Sequence, residues 1–177
     1  MTSRISSAPW GELDGKSVRL WSLSRQTSLG RMELQVAEYG ATLQKVIVPD
    51  RNGWPVDVSL GHDSLAEYVA SDAYFGAVLG RCAGRLRHGR ITVDGTEHLL
   101  PLNEGAHHLH GGPIGFDRQV WIGAAMDDAI VLRRRSPAGD MGYPGQLDVE
   151  VRYSLAPTGE LRIQMLARTN APTVCNL

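Results

Sequence analysis

Apolar and polar residues alternate along most of this chain with the two-residue period of a half-buried strand. Met32, Leu34 and Val36 alternate with Glu33, Gln35 and Ala37, and a weaker version runs through Val18, Leu20 and Ser22 against Arg19 and Trp21. Leu147, Val149, Val151, Tyr153 and Leu155 alternate with Asp148, Glu150, Arg152 and Ser154. After Thr158-Gly159, Leu161, Ile163, Met165 and Ala167 alternate with Arg162, Gln164 and Leu166. These last two segments predict a long antiparallel ribbon with one buried face. Residues 43–48 form another apolar run, stopped by Pro49 and the turn-prone Asp50-Arg51-Asn52-Gly53, with a hairpin-like return over residues 56–60. Asp94-Gly95 between β-prone arms is the strongest hairpin signal, and further strands are expected over residues 120–125 and 130–134. One short helix is expected, opened by Asp63 or Ser64 and running through Tyr68, because Ser64 and Glu67 have the spacing of a capping box. Residues 1–14, polar at the start, read as a loose N-terminal segment, and residues 15–177 as one domain. Near-regular strands, Gly-rich turns and almost no helix argue for an all-β sandwich or barrel.

Composition narrows the partners more than the fold. With 177 residues, 42% of them hydrophobic and 21% charged, the chain is of globular character and can bury one sizeable core. Its net charge of −1 supplies no electrostatic reason to bind nucleic acid or an anionic membrane. A neutral or small polar ligand fits better. Two cysteines, Cys82 and Cys175, are too few for a disulfide-stapled scaffold. No apolar run approaches a membrane span or signal-peptide core, so a cytoplasmic location is expected.

Candidate chemistry concentrates in residues 80–121. Arg85 sits beside Gly84, and His110 precedes Gly111-Gly112, in loops where β scaffolds place functional groups. A guanidinium stays charged and clamps by hydrogen bonding; an imidazole donates or accepts a proton near neutral pH. His107, His108 and His110 include a His-x-His spacing, the metal-ligand spacing of cupin barrels, yet the positions where a cupin has its glutamate hold Ile114 and Gly115, and Glu104 lies on the wrong side. Neither metal nor cofactor is therefore expected, and His107 and His108 read as surface or supporting groups. Arg133-Arg134-Arg135 lacks interleaved aromatics and reads as a solvated strand end. Trp10, Trp21, Trp54 and Trp121 include possible sugar platforms, with a core role the default for each.

Taken together, Gly80-Arg81-x-Ala83-Gly84-Arg85, Gly89-Arg90-Ile91, Asp94-Gly95, Leu100-Pro101-Leu102-Asn103, Leu109-His110-Gly111-Gly112, Gly115-Phe116-Asp117 and Trp121 resemble the aldose 1-epimerase (galactose mutarotase) family. Gly142-Tyr143-Pro144-Gly145 and the run Pro172-Thr173-Val174-Cys175-Asn176-Leu177 resemble that family's later motifs. The resemblance implies the N-terminal half of a large antiparallel β-sandwich of the galactose mutarotase type. It implies an isomerase that interconverts the α and β anomers of a hexose such as glucose or galactose by acid–base ring opening, without metal or nucleotide. Carried over by position, Arg85 is implied to bind sugar, and His110 to be the first active-site histidine, both substrate-binding and catalytic. Gly84 stands where many relatives have asparagine. The family's second histidine, its sugar-binding aspartate and its glutamate base match no residue here and fall later in its motif order, so a truncated form with half a site is expected. The alternative is a non-catalytic sugar-binding or interaction module, with self-association through an exposed sheet edge.

Overall fold

The computed structural model describes residues 3–177. Two antiparallel sheets face each other. One contains β1 (Arg4–Leu13), β2 (Lys16–Thr27), β3 (Gly30–Ala37), β4 (Leu43–Pro49) and β5 (Pro55–Asp57), paired in sequence order. The other contains β10 (Ile122–Met126), β11 (Ala129–Ser136), β12 (Leu147–Leu155) and β13 (Leu161–Thr169), again in order. Between them in the chain come one α-helix among the described residues, α1 (Leu65–Ala70), and two small ribbons: β6 (Arg85–Arg87) with β9 (His107–Leu109), and β7 (Arg90–Val93) with β8 (Thr96–Leu99).

The alternation read from sequence becomes the core. Leu23, Leu34 and Val36 from the first sheet pack against Ile130, Leu132, Val149, Val151 and Tyr153 from the second. This is sheet-on-sheet burial, and its contribution scales with the apolar area taken from water. The buried Tyr153 hydroxyl donates to the Ala41 carbonyl at 2.6 Å, so its polar end is satisfied across the core. The expected helix forms with Ser64 as N-cap: its hydroxyl accepts the Glu67 amide while the Glu67 carboxylate accepts the Ser64 amide. Asp94 and Gly95 both adopt positive φ, 48° and 77°, the two-residue turn their sequence demands.

The N-terminal expectation is corrected. Arg4–Leu13 is not loose; it is the ten-residue strand β1, paired with β2 from Arg4↔Ser24 to Leu13↔Lys16. Its turn is Asp14-Gly15, at φ of 50° and 73°, the same dipeptide signal as at Asp94-Gly95. The strand escapes pattern reading because it is an edge strand whose side chains are small, polar or part-exposed, with no apolar alternation to mark a buried face. The β12–β13 ribbon also differs from expectation. β12 buries Leu147, Val149, Val151, Tyr153 and Leu155, whereas on β13 no residue is fully buried and Ile163 and Met165 are exposed.

Candidate functional site

The site begins with six paired residues. β6 and β9 are antiparallel, with Arg85 opposite Leu109, Leu86 opposite His108 and Arg87 opposite His107. Arg85 thus opens a strand rather than sitting in a turn. One step beyond this ribbon the backbone turns, with Gly84 at φ 85° and His110 at φ 51°, and the two residues bond twice. The His110 amide donates to the Gly84 carbonyl at 3.1 Å, and the Gly84 amide donates to His110 Nδ1 at 3.0 Å. The direct β6–β9 pairing, and not the β7–β8 hairpin between them, sets the separation of Arg85 from His110.

This geometry fixes the imidazole's chemistry. A nitrogen that accepts from an amide carries no proton, so in the neutral ring the proton resides on Nε2. Burial, and then the nearby Arg85 charge, push the His110 pKa below the usual histidine value, while Glu104 opposes the shift. His110 is therefore a neutral ring presenting a hydrogen-bond donor. The Tyr74 ring meets it edge-on, with centroids 4.8 Å apart.

The Arg85 side chain is 60% exposed, and its Nη2 donates to Glu104 Oε1 at 2.9 Å. Glu104 sits in a tight turn whose backbone bonds reciprocally with His107, which returns its carboxylate beside β6. It was visible in the sequence only as a rejected metal ligand. The nearest sequence cue is the Glu104-Gly105 turn just before β9, and that cue indicates the turn without its proximity to Arg85.

Behind this open cluster is a closed one. Arg81, 2% exposed, donates through Nε to Ser136 Oγ, through Nη1 to the Pro144 and Gly145 carbonyls and Thr173 Oγ1, and through Nη2 to the Ser136 and Pro137 carbonyls. Burial lowers its pKa, with Asp140 acting in the opposite direction. His108 is fully enclosed. Its Nδ1 lies 2.7 Å from the Pro101 carbonyl, which can only accept, so Nδ1 carries the proton and Nε2 accepts from the Tyr143 hydroxyl at 2.8 Å. Burial lowers the His108 pKa and raises that of Tyr143. Gly111 is needed where it stands: a Cβ there would run into the Gly80 carbonyl oxygen. Asn176 completes the frame, its amide donating to the Arg81 carbonyl at 2.9 Å and its carbonyl accepting the Ala83 amide at 2.7 Å.

The other sequence candidates separate from this site. His108 and His110 do not share a face, because the backbone turns between them, and among the described residues no three His, Cys, Asp or Glu side chains gather as a metal site. Arg133 and Arg135 pair with Glu150 and Asp148 at exposed positions, whereas Arg134 turns inward over the Phe116 ring. Trp121 is in the core, Trp21 donates to Glu38, and Trp54 is exposed on the β4–β5 turn. Both cysteines are free thiols. Among the described residues no helix is long and apolar enough to cross a membrane.

Comparison with known proteins decides the family. The aldose 1-epimerase family model matches residues 24–177. The chain belongs to the aldose 1-epimerase family. It is 39% identical over 152 residues to the galactose mutarotase of Bos taurus, covering 86% of this chain and 44% of that relative. It is 33% identical over 165 residues to the aldose 1-epimerase of Escherichia coli strain K12, covering 93% and 47%. The galactose 1-epimerase crystal structure from Lactobacillus acidophilus NCFM superposes with a TM-score of 0.84 at 30% identity, over 97% of this chain and 50% of that one. The chain spans about half the length of the aldose 1-epimerase relatives it matches. The matched region includes β6, β9 and both clusters around them.

Proposed function

We propose that this chain carries the sugar-binding side of an aldose 1-epimerase site for a hexose such as galactose or glucose, with Arg85 as the anchoring cation and His110 as a donor toward the ring oxygen. The observation that carries this reading is the pair of hydrogen bonds between Gly84 and His110, which presents Nε2–H beside the Arg85 guanidinium. Anomer exchange requires a base to take the C1 hydroxyl proton while an acid protonates the ring oxygen; the C1–O5 bond breaks, the aldehyde rotates about C1–C2, and the reverse transfers close the ring. A neutral Nε2–H stabilises charge that builds on the ring oxygen, in the manner of other preorganised donors. The Glu104 carboxylate is already engaged by Arg85 Nη2.

A second reading is a non-catalytic sugar-binding module. It is favoured by the same bond: His110 Nδ1 is committed to Gly84, leaving a ring that donates but has no free acceptor for the C1 proton. Two measurements on the 177-residue protein decide between them. Titration with D-galactose and D-glucose, followed by NMR of the β6 and β9 backbone amides, is expected to show binding that weakens about tenfold in His110→Ala, the loss of one or two hydrogen bonds. Polarimetry of freshly dissolved α-D-galactose then reads catalysis. Acceleration that disappears in His110→Ala supports the enzyme; binding without acceleration supports the module. Absence of binding overturns both.

A further inference from the structure

The outward face of the first sheet carries a concave polar site that the Arg85–His110 cluster does not use. Along β1, β2 and β3 alternate residues point away from the core, because Ile5, Leu23 and Leu34, which pair across the register, pack into it. One outward row is Arg4, Ser24 and Glu33, and the next is Ser6, Ser22 and Gln35, each residue standing opposite its neighbour on the adjoining strand. The serines are short and make a floor; Arg4, Arg31 and Glu33 are long and stand around it. The result is an open trough of about 240 Å³ lined by Arg4, Ser6, Ser22, Ser24, Arg31 and Glu33.

The donors of this trough are uncommitted. Among the described residues neither Arg4 nor Arg31 pairs with an acid, and the Ser6 and Ser22 hydroxyls have no partner. Arg31 leans over the floor, its Nη2 donating to Ser24 Oγ at a long 3.4 Å. Glu33 accepts from Gln35 Nε2 at 3.1 Å and from neither guanidinium. Neighbouring strands lie about 4.8 Å apart, so Arg4 on β1 and Arg31 on β3 flank Ser24 on β2 across about 10 Å, a span that both long side chains can close over a ligand. Guanidinium forks on two sides and hydroxyls beneath suit a tetrahedral oxyanion. A phosphoryl group has three terminal oxygens and can satisfy all of these donors, whereas a carboxylate has two in one plane. A nucleic-acid strand does not fit, because no aromatic ring lines the trough for a base to stack on and the chain's net charge of −1 supplies no wider positive field. We infer that this trough binds the phosphoryl group of a small soluble phosphate monoester, held between Arg4 and Arg31 over Ser24. It shares no residue with the Arg85–His110 cluster, so its test is independent of the proposed function.

The test is NMR titration of the 177-residue protein with inorganic phosphate and with glycerol 3-phosphate, at an ionic strength held constant with sodium chloride. Saturable shifts are expected at the amides of Arg4, Ser6, Ser22, Ser24 and Arg31, with a Kd of about 1 mM, the affinity that two charge-assisted contacts at an open site supply. Arg4→Gln and Arg31→Gln are each expected to weaken binding about tenfold, and Ser24→Ala, which leaves the charge unchanged, about threefold. Glu33→Gln is expected to tighten it about threefold by removing a like charge. Vesicles containing phosphatidate are expected not to recruit the protein, since no apolar side chain lines the trough to enter a bilayer. Shifts that follow ionic strength alone, that appear equally at the exposed Arg133 and Arg135, or that survive the combined Arg4→Gln and Arg31→Gln variant each overturn the inference. Recruitment to the vesicles without binding of glycerol 3-phosphate overturns it as well.

Discussion

Arg81, His108 and Tyr143 make one cluster; Arg85, His110 and Tyr74, joined by Glu104, make another from the same residue types a few positions away. In the first, the guanidinium makes six hydrogen bonds, the enclosed imidazole is bonded at both nitrogens, and the tyrosine hydroxyl has the histidine as partner. In the second, the guanidinium makes one ion pair, the imidazole is bonded at one nitrogen, and all of the groups retain some exposure. The contrast shows how a β scaffold separates two tasks. A saturated polar cluster holds loops in place, since any group lost from it leaves a buried partner unsatisfied. An unsaturated one leaves donors uncommitted, and its geometry is held by the β6–β9 backbone pairing and by the Gly84 amide bonded to the His110 ring.

The largest effect should come from the saturated cluster. Arg81→Met removes six hydrogen bonds and leaves four carbonyls with a lost donor, and is expected to cost about 3–5 kcal/mol of folding stability, the range seen when one side of a buried charged network is removed. Arg85→Met is expected to cost less than about 1 kcal/mol, as for exposed ion pairs. Urea unfolding of the two variants side by side checks the contrast, and equal losses would break it.

A smaller effect concerns pH. His108 and His110 both have folded-state pKa values below the unfolded value of about 6.5. As pH falls through that value, the unfolded chain takes up protons that the folded chain resists. Their contribution is therefore present above about pH 7 and is lost as pH drops toward the lowered folded values. The urea midpoint is expected to fall between pH 7.5 and 5.5, before the paired carboxylates of Asp148 and Glu150, themselves held low by Arg135 and Arg133, begin to titrate. A midpoint that rises over this interval would contradict the assignment of both rings as neutral.

The smallest expected effect sharpens the open cluster. Glu104 is the charge that raises the His110 pKa, so Glu104→Gln should lower it further. NMR titration of the ring reads this directly, and an unchanged or raised value would show that Glu104 does not sense His110. The enclosed His108 is expected to be unaffected by the same substitution.

Much of the frame was legible in the sequence because it follows local rules. The alternation in β3 and β12, the Asp94-Gly95 turn and the Ser64–Glu67 capping box each depend on residues close together in the chain. β1 was illegible because an edge strand buries too little to force an apolar pattern. β13 carried the pattern of a buried strand but lacks the cover that would bury it. Arg85 and His110 stood out through their glycine neighbours, and the structure brings both into the open cluster. Arg81 and Glu104 did not, since the first depends on carbonyls about 55–65 residues away and the second on the β6–β9 register, neither of which a local pattern records.

The bond between Asn176 and the Arg81–Ala83 backbone has a consequence for the order of folding. Its side-chain contact with Ala83 spans 93 residues, far more than the ribbon of β6 and β9 encloses. Closing a long loop carries an entropy cost that local pairing avoids, so contacts of this kind tend to form late. On a ribosome, the strands bearing Arg85 and His110 emerge and can pair before Asn176 has been added. The final rigidity of the β6–β9 ribbon is therefore a property acquired at the close of folding, when the distant Asn176 segment locks the loop that leads into it.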